Sequence, residues 1–224
     1  MPLAVIFLLD GILLLASRQA EGSLLPVKPG DSGVDHGIAW EAYVLKEGEN
    51  HHTLFKDLAK DSIRFNRKAS QFWKPGTVIM KPVDGQVKAL KGWTPMPPVY
   101  NDCPRKKKRC IVISLSSQFL GVYKERDLKT SYPVSTGIPD YETPAGKYKV
   151  LSSSPYTKVK FKKIFSFTYS VWMVWPLSIG HEIYIHAGDL PGYPASHGCV
   201  RLMRRDAFKL FRNTPISTPV VIID

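Results

Sequence analysis

Acidic residues are under-represented in this chain, no apolar run is long enough for a comfortable membrane span, and cysteine occurs only three times. Nineteen Asp and Glu stand against 31 Lys and Arg, a formal net charge of +12 that draws the molecule toward polyanions. The densest basic run, Arg105 to Arg109, lacks the interleaved aromatics and the fold motifs of nucleic-acid binders, so it reads as a solvated loop. Nucleic acid is therefore not an expected partner. The one long apolar stretch, Leu3 to Ala16, is interrupted by Asp10 and Gly11 and is too short to span a bilayer with ease. It has the length of a signal-peptide core, although the usual basic residues before it are missing. No cysteine follows it, which speaks against lipid modification. Residues 1–22 are thus expected to be a signal peptide, with membrane anchoring through residues 3–16 as the alternative, and the protein is expected in the periplasm or cell envelope. There are no internal repeats.

What is present is the composition of a globular protein. Hydrophobic residues make up 44% and charged residues 22% of 224, enough for one ordinary domain and a smaller unit. Residues 23–37 are rich in Gly, Pro and Ser and read as a linker. From Ile38 a short strand and turn (Tyr43 to Glu49), a helical stretch (Thr53 to Asn66) and a strand (Thr77 to Lys81) follow in order. This order resembles LysM, a small peptidoglycan-binding module, which implies an α+β unit over 38–83 that would hold glycan strands. A small adaptor without a ligand is the alternative. Residues 84–108, with Trp93 and three prolines, read as an ordered connector.

Residues 109–224 carry closely spaced β signals at Ile111 to Ser116, Phe119 to Tyr123, Thr130 to Ser135, Lys147 to Leu151, Thr157 to Phe161, Phe167 to Val174, Glu182 to Ala187 and Pro219 to Ile223. They predict a mainly β, antiparallel sandwich or barrel with one short helix at Met203 to Phe211.

The chemistry gathers between His186 and Leu202. Cys103 and Cys110, with six residues between them, could close a disulfide in an oxidising compartment, which leaves Cys199 as the odd thiol. A free thiol with a pKa of about 8.5 is little ionised at neutral pH, so an acyl-transfer cysteine needs an imidazole to take its proton. His186 and His197 are both near in sequence. Alternation places Tyr184 and His186 on one face of their strand and Ile183 and Ile185 on the other, with His186 at the strand end. Gly198 permits the sharp turn that brings consecutive N–H groups together as an oxyanion hole. The rival chemistry is zinc bound by His186, Asp189, His197 and Cys199, but the spacings match no zinc pattern, and His197 and Cys199 would strain to ligate one ion.

Ser196-His197-Gly198-Cys199-Val200-Arg201 resembles the Ser/Thr-His-Gly-Cys signature of the L,D-transpeptidase (YkuD) catalytic domain, and His186 falls where that family has its other histidine. Ser135-Thr136-Gly137 and Thr143 to Tyr148 resemble its strand-and-turn elements, and the likeness covers about residues 109 to 224. The resemblance implies an enzyme that needs no cofactor and no metal. It implies Cys199 as nucleophile, His186 as general base oriented by the carbonyl of Ala187, His197 in the same pocket, and oxyanion donors at Gly198 and Cys199. Its expected partners are the donor and acceptor stem peptides of peptidoglycan. Arg201 would meet a substrate carboxylate, with a structural salt bridge as the alternative, and Ser196, Tyr184 and Tyr193 would line the groove. Two departures are visible: only nine residues separate His186 from Ser196, and the family's frequent His-Gly pair is His186-Ala187 here. Both bear on substrate preference.

Overall fold

Two helix starts and stops organise the N-terminal part of the computed structural model, which describes residues 26–105, 109–152 and 160–224. The signal peptide expected at 1–22, three residues of the basic run and most of the strand expected at Thr157 to Phe161 lie outside them. Asn50 caps α1 (His51–Phe55): its side chain accepts from the backbone of His52 and Thr53 while the Thr53 hydroxyl accepts from Asn50 N. Asn66 ends α2 (Ala59–Phe65) and ties it to β3 (Val78–Pro82) by exchanging hydrogen bonds with the backbone of Met80. Both helices close over β3 and β2 (Ile38–Val44), and Phe55, Phe65, Trp73 and Ile79 fill the space between.

The expected linker departs from this picture at its end. Ser32–Asp35 is a strand, β1, antiparallel to β2 and joined to it by His36-Gly37, both at positive φ, so the first sheet has the order β1-β2-β3. Val34 is the one large apolar side chain in β1. Backbone pairing makes this strand, and composition therefore misses it.

Residues 84–105 of the connector are packed. A 3-10 turn at Val87–Leu90 buries Leu90, and Trp93 sits edge-on to Phe65 and Phe119, joining the first unit to the second. The Cys103–Cys110 disulfide is formed, with Cα atoms 5.8 Å apart.

The second unit is a sandwich. One sheet has the order β6 (Asp127–Pro133), β5 (Phe119–Lys124), β4 (Cys110–Ser114), β12 (Pro219–Ile223), β7 (Gly146–Lys149). The other has the order β11 (Val200–Leu202), β10 (Ile183–Ala187), β9 (Val171–Gly180), β8 (Lys163–Ser166). Alternate residues of each sheet face inward: Ile111, Ile113, Leu120, Val122, Val220 and Ile222 from one, Leu177, Ile179, Ile183, Ile185, Val200 and Leu202 from the other. Each such side chain stabilises the fold by ~2 kcal/mol when fully buried. Helix α3 (Arg204–Asn213) closes one end with Ala207, Leu210 and Phe211 at i, i+3 and i+4. The outer face of β4 and β5 is covered too, since Val112, Phe119 and Tyr123 pack against Met96 and Cys103 of the connector.

Two strand pairs are parallel, β4 with β12 and β10 with β11, which corrects the wholly antiparallel expectation. The strand expected at Phe167 to Val174 is instead a hairpin: β8 ends at Ser166, residues 167–170 turn, and β9 runs from Val171 to Gly180.

Candidate active site

The parallel pairing of β10 and β11 builds the site. Its register sets Ile185 beside Val200 and His186 beside Arg201. Side chains alternate along both strands, so Ile183, Ile185, Val200 and Leu202 enter the core while Tyr184, His186 and Arg201 share the opposite face, and Cys199 joins them one residue before β11. One face of the pair is packing and the other is chemistry.

His186 is only 8% exposed, and its Nδ1 lies 2.8 Å from the carbonyl oxygen of Ala187. A carbonyl only accepts, so Nδ1 carries the proton and Nε2 keeps its lone pair in the neutral ring. Burial, aided by the Arg201 charge, holds the imidazole down at about 4 despite that hydrogen bond. The Cys199 thiol is pushed up by its own burial, against the opposing pull of the Tyr184 backbone N–H and the Arg201 charge. At neutral pH both groups are uncharged at rest, a thiol and a neutral imidazole that line one cleft.

The buried imidazole also makes stability depend on pH. Unfolded, the ring titrates near 6.5, so between pH 6.5 and 4 the unfolded chain binds more protons than the folded one, and stability falls as pH drops. By pH 4 the loss reaches about 3 kcal/mol. Denaturant midpoints at pH 7, 5.5 and 4 should show this loss in the wild-type chain in excess of that in His186→Gln. Equal losses in the two proteins would contradict the depressed ring.

Gly198 has a φ of 99°, the left-handed region open to glycine, and this turns the chain just before Cys199. Thr143 holds the turn from below: its buried hydroxyl donates to the Gly198 carbonyl at 2.9 Å and accepts from Gly137 N at 3.0 Å. A β-carbon at Gly137 would lie 1.9 Å from the Tyr141 carbonyl, so only glycine fits under the loop. Thr143 and Gly137 are visible in the sequence as turn residues, but their support of Gly198 comes from 55 and 61 residues away.

These groups open on a cleft of about 800 Å³. His197 is exposed at its edge, stacked on Tyr169 of the β8–β9 hairpin at 4.8 Å and met edge-on by Tyr141 at 5.0 Å. Neither tyrosine belongs to a motif, and only the hairpin geometry brings Tyr169 across. Tyr184 lines the cleft, its phenol pushed up first by burial and then by Cys199 and Glu182. Arg201 lines it as well. One guanidinium nitrogen donates to the Ala195 carbonyl at 2.9 Å, and among the described residues no carboxylate lies within ion-pair distance, so the structural salt bridge is not formed. Ser196 lines the cleft too; it is buried, and its hydroxyl donates to the Cys199 carbonyl, which fixes the turn. One expected groove residue is placed otherwise. Tyr193 lines a separate small cavity and its carbonyl accepts from Ser135. Asp189, weighed as a zinc ligand, accepts from Gln71 at 3.1 Å.

A profile of the L,D-transpeptidase catalytic domain, YkuD, matches residues 108–222, just over half of the chain. The chain belongs to the YkuD L,D-transpeptidase catalytic-domain family. A protein of Bacillus licheniformis named as an L,D-transpeptidase YkuD is 28% identical over 116 residues, which are 50% of this chain and 64% of that one. The chain thus spans less than two thirds of that relative. Among solved structures, the YkuD-type L,D-transpeptidase of Stackebrandtia nassauensis is 24% identical, with 56% of this chain and 60% of that one covered and a TM-score of 0.49. An L,D-transpeptidase of Mycobacterium tuberculosis is 18% identical, covers 89% and 96%, and has a TM-score of 0.47. The YkuD match leaves residues 38–83 outside, so the LysM-like resemblance there rests on element order alone.

Proposed function

We propose that this YkuD-family protein is an L,D-transpeptidase acting on peptidoglycan through a Cys199 thioester. The observation that carries the reading is the single polar face of β10 and β11, which holds a buried neutral imidazole of defined tautomer together with the thiol, inside a domain of that family. In the first half-reaction His186 Nε2 takes the thiol proton as sulfur attacks the carbonyl of the diamino-acid residue that precedes the terminal D-Ala of a tetrapeptide stem. The C–S bond forms, the C–N bond breaks, and D-Ala leaves with the proton from His186. The backbone N–H groups of Gly198 and Cys199 face the developing oxyanion, a donor being worth about 3 kcal/mol in such a site. Arg201 meets the stem carboxylate.

In the second half-reaction the side-chain amine of a neighbouring stem loses a proton to His186 and displaces sulfur, which leaves a 3→3 cross-link and restores the thiol. The formed disulfide supports an exported, oxidising location. Incubation with a disaccharide-tetrapeptide followed by mass spectrometry should yield cross-linked dimers and free D-Ala. Tripeptide without dimer would instead assign water as the acceptor and an L,D-carboxypeptidase; no product from the wild-type chain would overturn the acyl-transfer reading.

A further inference from the structure

The loop between His186 and Cys199 is anchored at both ends by its own domain and in the middle by the other unit. At its ends, Gly188 N donates to the Leu202 carbonyl, Ala195 N and Ser196 N donate to the Thr136 carbonyl, and Ser135 donates to the Tyr193 carbonyl. Its middle, Asp189 to Pro191, is met by the segment that follows α2. Ala69 N donates to the Leu190 carbonyl at 2.9 Å, Lys68 Nζ to the Pro191 carbonyl at 2.7 Å, and Gln71 Nε2 to Asp189 at 3.1 Å, with Lys68 and Pro191 forming an antiparallel bridge. Leu190 is fully buried at this seam.

The clamp is itself held rigidly. Arg67, the preceding residue, is 1% exposed and sits in the left-handed region. It pairs with Asp35 of β1, donates to the Phe65 and Ser117 carbonyls and stacks on Trp93 and Phe119. Arg64 reaches the Ser131 carbonyl of β6 at 2.8 Å. Lys68 has no carboxylate within ion-pair distance among the described residues, and burial pulls its amine below the usual lysine range. A half-buried ammonium without a counter-charge loses solvation, and the bond to the Pro191 carbonyl offsets part of that cost.

We infer that Lys68, with Ala69 and Gln71, is a positioning element for the reaction: the first unit sets the loop that spaces His186 from Cys199, so the two units form one working site rather than a tethered binder and an enzyme. The inference rests on the acyl-transfer reading for its chemistry. Geometry is where such a contact acts, because a shift of about 1 Å between reacting groups can lower a rate by ~100-fold without changing ligand affinity.

The test uses the full chain and a carbapenem, whose strained carbonyl traps a reactive thiol, with the rate constant of Cys199 modification and the concentration for half-maximal rate measured separately. Lys68→Met keeps the apolar stem and removes the donor. It should lower the rate constant by ~10-fold while leaving the half-maximal concentration within about twofold, and Lys68→Arg should restore most of the rate. Amide exchange over residues 188–195 should rise in Lys68→Met. A wild-type rate constant in Lys68→Met overturns the inference, whether or not exchange rises. Should that variant fail to fold, Gln71→Ala, an exposed change, decides: a rate lower by ~3-fold supports the clamp, and a wild-type rate overturns it. If the wild-type chain is not modified at all, the acyl-transfer reading fails instead, and the exchange comparison alone judges the clamp, with no rise over 188–195 overturning it.

Discussion

His186→Asn should abolish carbapenem acylation of Cys199, with the rate falling by ~1,000-fold, whereas His197→Asn should lower it by only ~10-fold. The two imidazoles are neighbours in sequence and unequal in environment. His186 is buried, is locked into one tautomer by the Ala187 carbonyl, and lines the same cleft as Cys199. His197 is exposed between Tyr141 and Tyr169, where it shapes the cleft wall and the approach of a ligand. Adduct mass against time gives both rates, with Cys199→Ala as the blank. The reverse ranking would show that the base is His197 and that the buried ring has a structural role. Asn at 186 keeps the amide hydrogen bond to Ala187 within reach, so folding should survive and the loss can be read as chemistry.

Arg67→Ala should be the most destabilising single change outside the sandwich core, at about 3–5 kcal/mol, because it strands the Asp35 carboxylate and two carbonyls at a largely buried seam. For a chain of this size that corresponds to a melting point lower by about 10 °C. Asp35→Asn added to Arg67→Met should recover part of the loss, since replacing both partners leaves no uncompensated charge. Calorimetry on the three proteins checks the order. A loss below about 1 kcal/mol in Arg67→Ala would mean that the seam between the units is held by Trp93 and the strand pairing rather than by the guanidinium.

The strands of the sandwich were legible where one face alternates with a polar one or where a run is buried on both sides, as in β4 and β5. Those patterns follow from the pleat. β1 was hidden because it has little apolar surface of its own, and β11 because three residues are too few to show a period. The β8–β9 hairpin was misread as one strand: its turn is made of aromatics and small polar residues rather than Gly and Pro, so it carries none of the usual punctuation. The parallel pairing of β10 with β11 left no mark, since register between strands joined by a loop is a property of the assembled sheet.

The site divides in the same way. Cys199, Gly198, His197 and His186 could be named from order and residue type, because a thiol, a turn and an imidazole within a short stretch have few other uses together. Residue order alone does not separate a substrate contact from a salt bridge for Arg201, and the absence of a carboxylate beside it among the described residues is a spatial fact. Thr143 under Gly198, Tyr169 on His197 and Lys68 on Pro191 join positions 55, 28 and 123 residues apart. The sequence by itself determined which atoms can react, since nucleophilicity and basicity belong to side chains and their immediate neighbours. Only the tertiary structure decided which imidazole is buried and neutral, what holds the Gly198 turn, and that the first unit reaches into the loop of the second. Burial and long-range hydrogen bonds exist only once distant segments are packed together.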